Sequence, residues 1–390
     1  MRIAIDLLSE PKNGTGVSRY AKNLISGLSR IDRSNKYLIL TNEENNDRFF
    51  VQADNFKYII IKYTFGSRIL RRLYECFLIP FMLMRGGNKV DVIHSVNNVI
   101  PFVFGMKKIV TVHDVAFALF PRLRFKGLKK IFYRIFTGSS IKAADRIIAV
   151  SERTKKDILS NYNIEAGKIN VIPLGCDEFM EKVDHDKINE IKRKYGIQCR
   201  YVLTVGIIEP LKNMGASVRA FSEYLKTYND RDMKLVIVGH KEKEYARMKE
   251  LVRSLGIEDR VIFTGYVTEN ELKALYAGAE LFLFLSLYEG FGLPVLEAMA
   301  SGLPVIASNI DPIYSFASSQ VLVDPNDLDG IASQMNRIIT DERVKGTLME
   351  RARRQALEYS WENCAKQTLK VYETLHIQDA GAKGRALLID

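Results

Sequence analysis

Residues 289–308 read EGFGLPVLEAMASGLPVIAS, and they decide how the chain folds. The run follows LFLFLS (281–286), a short continuous apolar stretch suited to a strand buried on both faces, and it contains Pro294, a residue favoured in the first turn of a helix. The order is therefore strand, loop, helix, with Glu289 in the loop at the strand's carboxyl end. Between Glu289 and Pro294 lie Gly290 and Gly292 and no charge. Backbone N–H groups there can converge on a ligand oxygen, helped by the positive end of the following helix. Glu297 falls near the end of the first helical turn, where its carboxylate can reach the same crevice. Such a pair suits a phosphate or the hydroxyls of a sugar, whereas two glutamates without this intervening text read as solvated side chains on a connection.

Outward from this run, two halves repeat one alternation of strands and helices. RIAIDL (2–7), YLILT (37–41), YIIIKY (58–63), DVIHS (91–95), KIVTVHD (108–114), DRIIAVS (145–151) and INVIPLG (169–175) are the strand candidates of the first half. YVLTVG (201–206), KLVIVG (234–239), RVIFTG (260–265), LFLFLS, PVIAS (304–308) and VLVDP (321–325) are those of the second. Strands separated by helical-length segments predict parallel sheets covered on both faces. Between the halves EKVDHDKINEIKRKYG (181–196) is charged and poor in large apolar residues, which predicts a linker with the boundary near Asp184. A last helix begins after Ser360 as N-cap, and IQDAGAKGRALLID (377–390) reads as a loosely held tail. Ligands of doubly wound sheets bind outside the carboxyl ends of the strands, and two such domains facing each other enclose a cleft.

Composition narrows the function classes. With 390 residues, 47% hydrophobic and 26% charged, the chain has room for two globular domains and is neither disordered nor collagen-like. The apolar start MRIAIDLLSE is too short for a signal peptide and is broken by Asp6, so it reads as a first strand. CFLIPFMLM (76–84) is about half of a membrane span and holds Pro80. Cys76, Cys176, Cys199 and Cys364 show no paired spacing, which argues against zinc and a disulfide framework and fits a reducing, cytosolic compartment. His94, His113, His185, His240 and His376 form no cluster with Cys or carboxylates, so no metal is expected.

Of the net +11, residues 1–180 carry 29 Lys+Arg against 16 Asp+Glu, or +13; the rest carries 57 − 29 = 28 against 46 − 16 = 30, or −2. Nucleic acid or an anionic membrane surface would account for this asymmetry. The local pattern favours the membrane: SRILRRLYECFLIPFMLMR (67–85) and RFKGLKKIFYRIF (124–136) mix Arg and Lys with Leu, Ile, Phe, Tyr and Met, as interfacial helices do. An ordinary amphipathic helix with a basic outer face reads the same way.

Four further segments fall at strand ends. GTGVSRY (14–20) opens a helix after the first strand, and its glycines let backbone approach a diphosphate, or make a flexible turn. TVHD (111–114) puts His113 and Asp114 at a strand end, where a lone histidine is structural or serves a ligand. VGIIEPLKN (205–213) supplies Lys212, a point charge suited to phosphate. TGYV (264–267) is an ordinary turn or a ligand-facing backbone.

Glu289 and Glu297, with seven residues between them inside EGFGLPVLEAMASGLPVIAS, resemble the E-x7-E motif of glycosyltransferase family 4. These are retaining enzymes that use nucleotide-sugar donors. The resemblance spans roughly residues 1–376. It implies the GT-B fold, an α/β architecture of two Rossmann-like doubly wound parallel-sheet domains facing a cleft. Residues 1–184 would be the acceptor domain, 185–358 the donor domain, 359–376 a helix crossing back to the first domain, and 377–390 a tail. It implies Glu289, His113 and Lys212 as catalytic residues, and Gly16, Lys212, Val267, Glu289, Gly290, Phe291, Gly292, Leu293 and Glu297 as the donor-binding set. Lys212, the 290–293 backbone and the Gly16 loop would face the diphosphate, Glu289 the sugar hydroxyls, Glu297 the ribose, His113 the sugar face and Val267 the base. Many members carry an arginine just after the glycine of the VGIIEPLKN segment or just before its lysine. Here those positions are Ile207 and Leu211, which leaves Lys212 as the main cation, with Arg19 as a candidate helper.

RRLYECFLIP (71–80), DVIHSVNNVIP (91–101), TVHDVAFALFP (111–121) and VGIIEPLKN resemble bacterial members that add mannose or related sugars to lipid-linked surface polysaccharides. The expected donor is a GDP- or UDP-sugar, the acceptor a lipid-linked saccharide and the location cytoplasmic, peripheral on the inner face of the cytoplasmic membrane. Neither a cofactor nor nucleic acid is expected. A glucan- or sucrose-type synthase with a soluble acceptor, and a catalytically weak nucleotide-sugar-binding protein, are the alternatives.

Overall fold

A computed structural model describes residues 1–386 apart from 9, 11–15, 63–74, 76–78, 85–88, 101–104, 121–127 and 241–243. The chain forms two units, Met1–Gly175 with Ser360–Asp390, and Cys176–Tyr359. Most of the first membrane-interface segment, with Arg68, Arg71 and Arg72, lies outside the described residues, as does 124–127 of the second.

In the first unit the described strands are β1 (Arg2–Asp6), β2 (Lys36–Asn42), β3 (Phe56–Ile61), β4 (Val92–Ser95), β5 (Lys107–Val112), β6 (Arg146–Ala149) and β7 (Ile169–Val171). They form a parallel sheet in the order β3-β2-β1-β4-β5-β6-β7. In the second unit β8 (Arg200–Val205), β9 (Met233–Val238), β10 (Val261–Gly265), β11 (Leu281–Phe284), β12 (Val305–Ser308) and β13 (Val321–Val323) are ordered β10-β9-β8-β11-β12-β13, again all parallel. These are the two doubly wound sheets of the GT-B class. The continuous apolar runs are central strands: all four residues of β11 are buried, as are the last four of β1. Expected strand ends run long, since β7 stops at Val171 and not at Gly175.

The order reverses beside β1, which lies between β2 and β4, and beside β8, which lies between β9 and β11. Adjacent connections leave to opposite faces there, which opens a crevice at the strands' carboxyl ends.

Two expectations are corrected. Residues 181–196 are not a linker: His185–Lys194 is a helix of the second unit, capped by Asp184, whose side chain accepts from Asp186 N. Its charges line a solvated face, while Ile191 is buried and Lys194 pairs with Glu271 of the Glu269–Ala277 helix. The units divide at Gly175/Cys176, ahead of Asp184. Nor is 377–386 a tail, because the last helix runs unbroken over Trp361–Ala386. Ser360 Oγ accepts from Asn363 N at 3.1 Å, as an N-cap does.

The last helix belongs to the first unit, where it packs on the Gly16–Ile31 helix. Gly27 permits that approach, since a Cβ there would lie 2.7 Å from Ala365 Cβ. Trp361 is 1% exposed, with its ring 6.4 Å from that of Tyr20.

Candidate active site

In the second unit the reversal beside β8 brings together two loops far apart in sequence. After β8 the chain makes a short 3-10 turn at Pro210–Lys212, and Asn213, in the left-handed region at φ +48, leads into the Met214–Tyr228 helix. Leu287 N donates to Leu211 O (2.8 Å), Ser286 Oγ to the same carbonyl (3.0 Å), and Asn213 Nδ2 to Leu285 O (3.1 Å). These bonds fasten the loop after β8 to the loop after β11. Lys212 Nζ consequently lies 2.8 Å from Glu289 Oε1 and 2.9 Å from Oε2. Ser286 Oγ, whose single proton serves either the Leu211 carbonyl or this carboxylate, lies 2.7 Å from Oε1. The carboxylate is 7% exposed and the lysine 23%, so the pair is shielded yet accessible to a ligand from the lysine side.

Gly292, at φ +98, precedes the Leu293–Ala300 helix and has Ile313 3.1 Å from where a Cβ would sit. Only glycine fits both demands. The Phe291 ring stacks on Phe316 (5.2 Å) and meets Tyr359 edge-on (6.2 Å), so this residue offers a ligand its backbone and not its side chain. Leu293 is likewise buried. Glu297 is 1% exposed, and its Oε2 accepts from the Tyr276 hydroxyl at 3.1 Å.

At the neighbouring strand ends Gly239 follows β9, and a Cβ there would collide with the Gly206 carbonyl. Close backbone approach therefore explains why these strands end in glycine. Val267 is buried beside Tyr266, which is half exposed and stacks on His240 with ring centroids 4.9 Å apart. Leu211, at one of the two positions where an arginine is missing, is 3% exposed.

In the first unit Gly16 opens its helix, with nothing within 4 Å of the position a Cβ would take. The protein's own packing does not demand a glycine there. Gly14 and Thr15 lie outside the described residues, and Arg19 is half-buried one turn on. His113 follows β5 and is partly exposed; its Nε2 lies 2.9 Å from Val96 O and its backbone N donates to Asn98 Oδ1 (3.3 Å). Burial pushes the imidazole below its ordinary pKa, against the opposing pull of the Val96 carbonyl and Asp114. The ring is therefore neutral near pH 7, with Nε2 carrying the proton and Nδ1 left as an acceptor. Asp114 accepts from Ala116 N (2.9 Å), a turn-forming role.

Sequence reasoning passed over Glu10, Ser18, Asn97 and Ser286. Glu10, buried just beyond β1, accepts from Ser18 Oγ (2.6 Å) and Asn97 Nδ2 (3.4 Å). Each of the three loop residues stands within a few positions of a strand's carboxyl end, which was the available signal. Among the described residues no group of three or more His, Cys, Asp or Glu could hold a metal ion, and no helix is long and apolar enough to cross a membrane.

Residues 14–178 match the family model Glycosyltransferase Family 4, and residues 187–358 match Glycosyl transferases group 1. The chain is 30% identical to O-antigen chain mannosyltransferase B of Escherichia coli over 69% of this chain and 71% of that protein. It is 28% identical to the O-antigen chain mannosyltransferase RfbU of Salmonella typhimurium over 81% of this chain and 85% of that protein. Sucrose-phosphate synthase of Thermosynechococcus elongatus shares the fold with a TM-score of 0.77 and 20% identity, across 97% of this chain and 100% of that one.

Proposed function

The chain belongs to the group 1 and family 4 glycosyltransferases, and we propose that it moves a mannose-like sugar from a GDP- or UDP-linked donor to a lipid-linked saccharide, with net retention. The observation that carries this reading is the Lys212–Glu289 pair at the β8/β11 reversal. Breaking the bond from the anomeric carbon to the phosphate oxygen leaves negative charge on the phosphate and positive character on the sugar. Fixed dipoles and a cation aimed at the phosphate are the main source of rate in such a step. In this reading Lys212 and the 290–293 backbone take the diphosphate, Glu289 accepts from sugar hydroxyls and Glu297 from the ribose. His113 Nδ1 accepts from a sugar hydroxyl, the Gly16 loop approaches the phosphates, and Val267 offers backbone to the base. The acceptor oxygen bonds to the anomeric carbon while its proton passes to the departing phosphate.

The names of the O-antigen relatives support a lipid-linked acceptor. A cytoplasmic enzyme resting on an anionic membrane is supported by the charge split and by Phe81, Met84 and Ile135, each more than half exposed on or beside the two basic-aromatic segments. Each Lys or Arg near such a surface contributes about 1 kcal/mol.

A screen of GDP-, UDP- and dTDP-sugars with lipid-linked and free saccharides tests the reading. Transfer to the lipid-linked acceptor is expected, together with salt-sensitive co-sedimentation on phosphatidylglycerol vesicles. Transfer only to soluble acceptors, without vesicle binding, would make the synthase-type alternative the better one; no transfer and no hydrolysis from any donor would leave a binding protein.

A further inference from the structure

The first unit holds a chain of buried hydrogen bonds to which the roles above give no part. It begins on the last helix, where the Tyr372 hydroxyl lies 2.7 Å from His94 Nδ1 on β4. His94 Nε2 is 2.8 Å from Thr111 Oγ1 on β5, and that hydroxyl is 3.0 Å from the hydroxyl of Tyr20 on the Gly16–Ile31 helix. All four side chains are between 0% and 1% exposed.

Burial pushes the His94 pKa down to about 3, so the ring is neutral near pH 7 and one of its nitrogens donates in this chain while the other accepts. With Tyr372 donating to Nδ1, Nε2–H donates to Thr111, whose own proton then faces Tyr20.

This chain meets His113 from two sides. The Tyr20 ring, oriented by its hydroxyl, stands against the His113 ring with centroids 5.0 Å apart at 76°. Val96, whose carbonyl takes the His113 Nε2 proton, follows His94 by two residues. A ring so held has its orientation and its tautomer decided together, because a rotated ring would lose both the carbonyl and the aromatic wall.

We propose that Tyr372, His94, Thr111 and Tyr20 are positioning residues that hold His113 with Nδ1 unprotonated, which makes the last helix part of the catalytic apparatus. The proposal rests on the reading of His113 as a donor-sugar ligand. Its test separates the two.

Tyr372→Phe and Tyr20→Phe each delete one oxygen and keep the ring. Without the Tyr372 hydroxyl His94 loses its Nδ1 partner, and without the Tyr20 hydroxyl Thr111 loses its link to the first helix, so either change loosens the chain behind His113. Turnover should fall about tenfold in either variant with donor KM within about twofold, and the double variant should fall no further than the deeper single one. Thr111→Val should copy the loss and Thr111→Ser should rescue it. Imidazole ¹⁵N spectra give a readout without catalysis. The His113 resonances should move toward a tautomer mixture in both Phe variants, while those of His240 in the second unit stay put. Unmoved His113 resonances, additive losses, or a Thr111→Ser variant as impaired as Thr111→Val would overturn the proposal. Should the Phe variants fold poorly, the Thr111→Ser and Thr111→Val comparison decides by itself. Shifted resonances beside a fully active His113→Ala enzyme would leave the hydrogen-bonded chain standing and remove the sugar role of His113.

Discussion

Lys212 and Glu289, 77 residues apart in sequence, form an ion pair in which one ammonium bridges both carboxylate oxygens, at 2.8 and 2.9 Å. The pair stands where the strand order of the second sheet reverses, and its partners hold each other in place before any donor arrives. Removing either one strands a shielded charge, which costs more than an exposed pair is worth. Glu289→Gln should lower turnover by more than about tenfold with donor KM little changed, whereas Lys212→Ala should raise donor KM and lower turnover together. Steady-state kinetics check both, and wild-type turnover in Glu289→Gln would remove the assignment.

Glu297 shares its carboxylate with the Tyr276 hydroxyl at 3.1 Å. Glu297→Ala is expected to weaken nucleotide binding more than it slows turnover. Tyr276→Phe, which removes that hydroxyl, should change nucleotide affinity by less than about tenfold, the worth of one hydrogen bond to a charged group or less. Calorimetric titration with GDP and UDP measures both, and a Glu297→Ala protein that binds them as the wild type does would refute the ribose role.

Activity should survive excess EDTA, since the proposed counter-charge for the leaving phosphate is Lys212 with the 290–293 backbone. Loss of transfer on EDTA treatment, recovered with Mg²⁺ or Mn²⁺, would show that an ion neutralises the phosphates and that Lys212 plays a lesser part.

His94 makes stability depend on acidity. Its folded pKa is about 3 because burial disfavours the charged ring, against about 6.5 in an unfolded chain. Between those values the unfolded chain takes up a proton that the folded one does not. The stabilisation is thus complete above about pH 6.5 and is lost as pH falls toward 3, with a slope of at most about 1.4 kcal/mol per pH unit from this group. Urea unfolding at pH 7, 6 and 5 should show His94→Gln less stable than the wild type at pH 7 and the gap narrowing as pH falls. A constant gap would mean that the ring does not titrate as its burial requires.

Much of the fold was legible because parallel strands buried on both faces leave unbroken apolar runs, and LFLFLS and YVLTVG could be little else. The candidate site was legible where it coincides with such a run's end, as at Glu289, Lys212 and His113. Residues 181–196 misled because a helix with one thin apolar edge, Ile188 and Ile191, has the composition of a linker. The 377–386 stretch misled in the same way, its glycines and charges reading as a tail where the last helix continues.

By itself the sequence determined the strand–helix alternation, the glycine-bounded loops and the chemistry-bearing side chains at the strand ends, since these depend on local periodicity and backbone freedom. Only the tertiary structure decided which side chains meet. That Glu289 holds Lys212, that Tyr276 takes Glu297, and that Tyr372 reaches Tyr20 through His94 and Thr111 depends on strand order and helix docking. Hydrogen bonds between residues tens to hundreds of positions apart leave no periodic trace in the chain, because their geometry exists only once the sheets have assembled and water has been excluded.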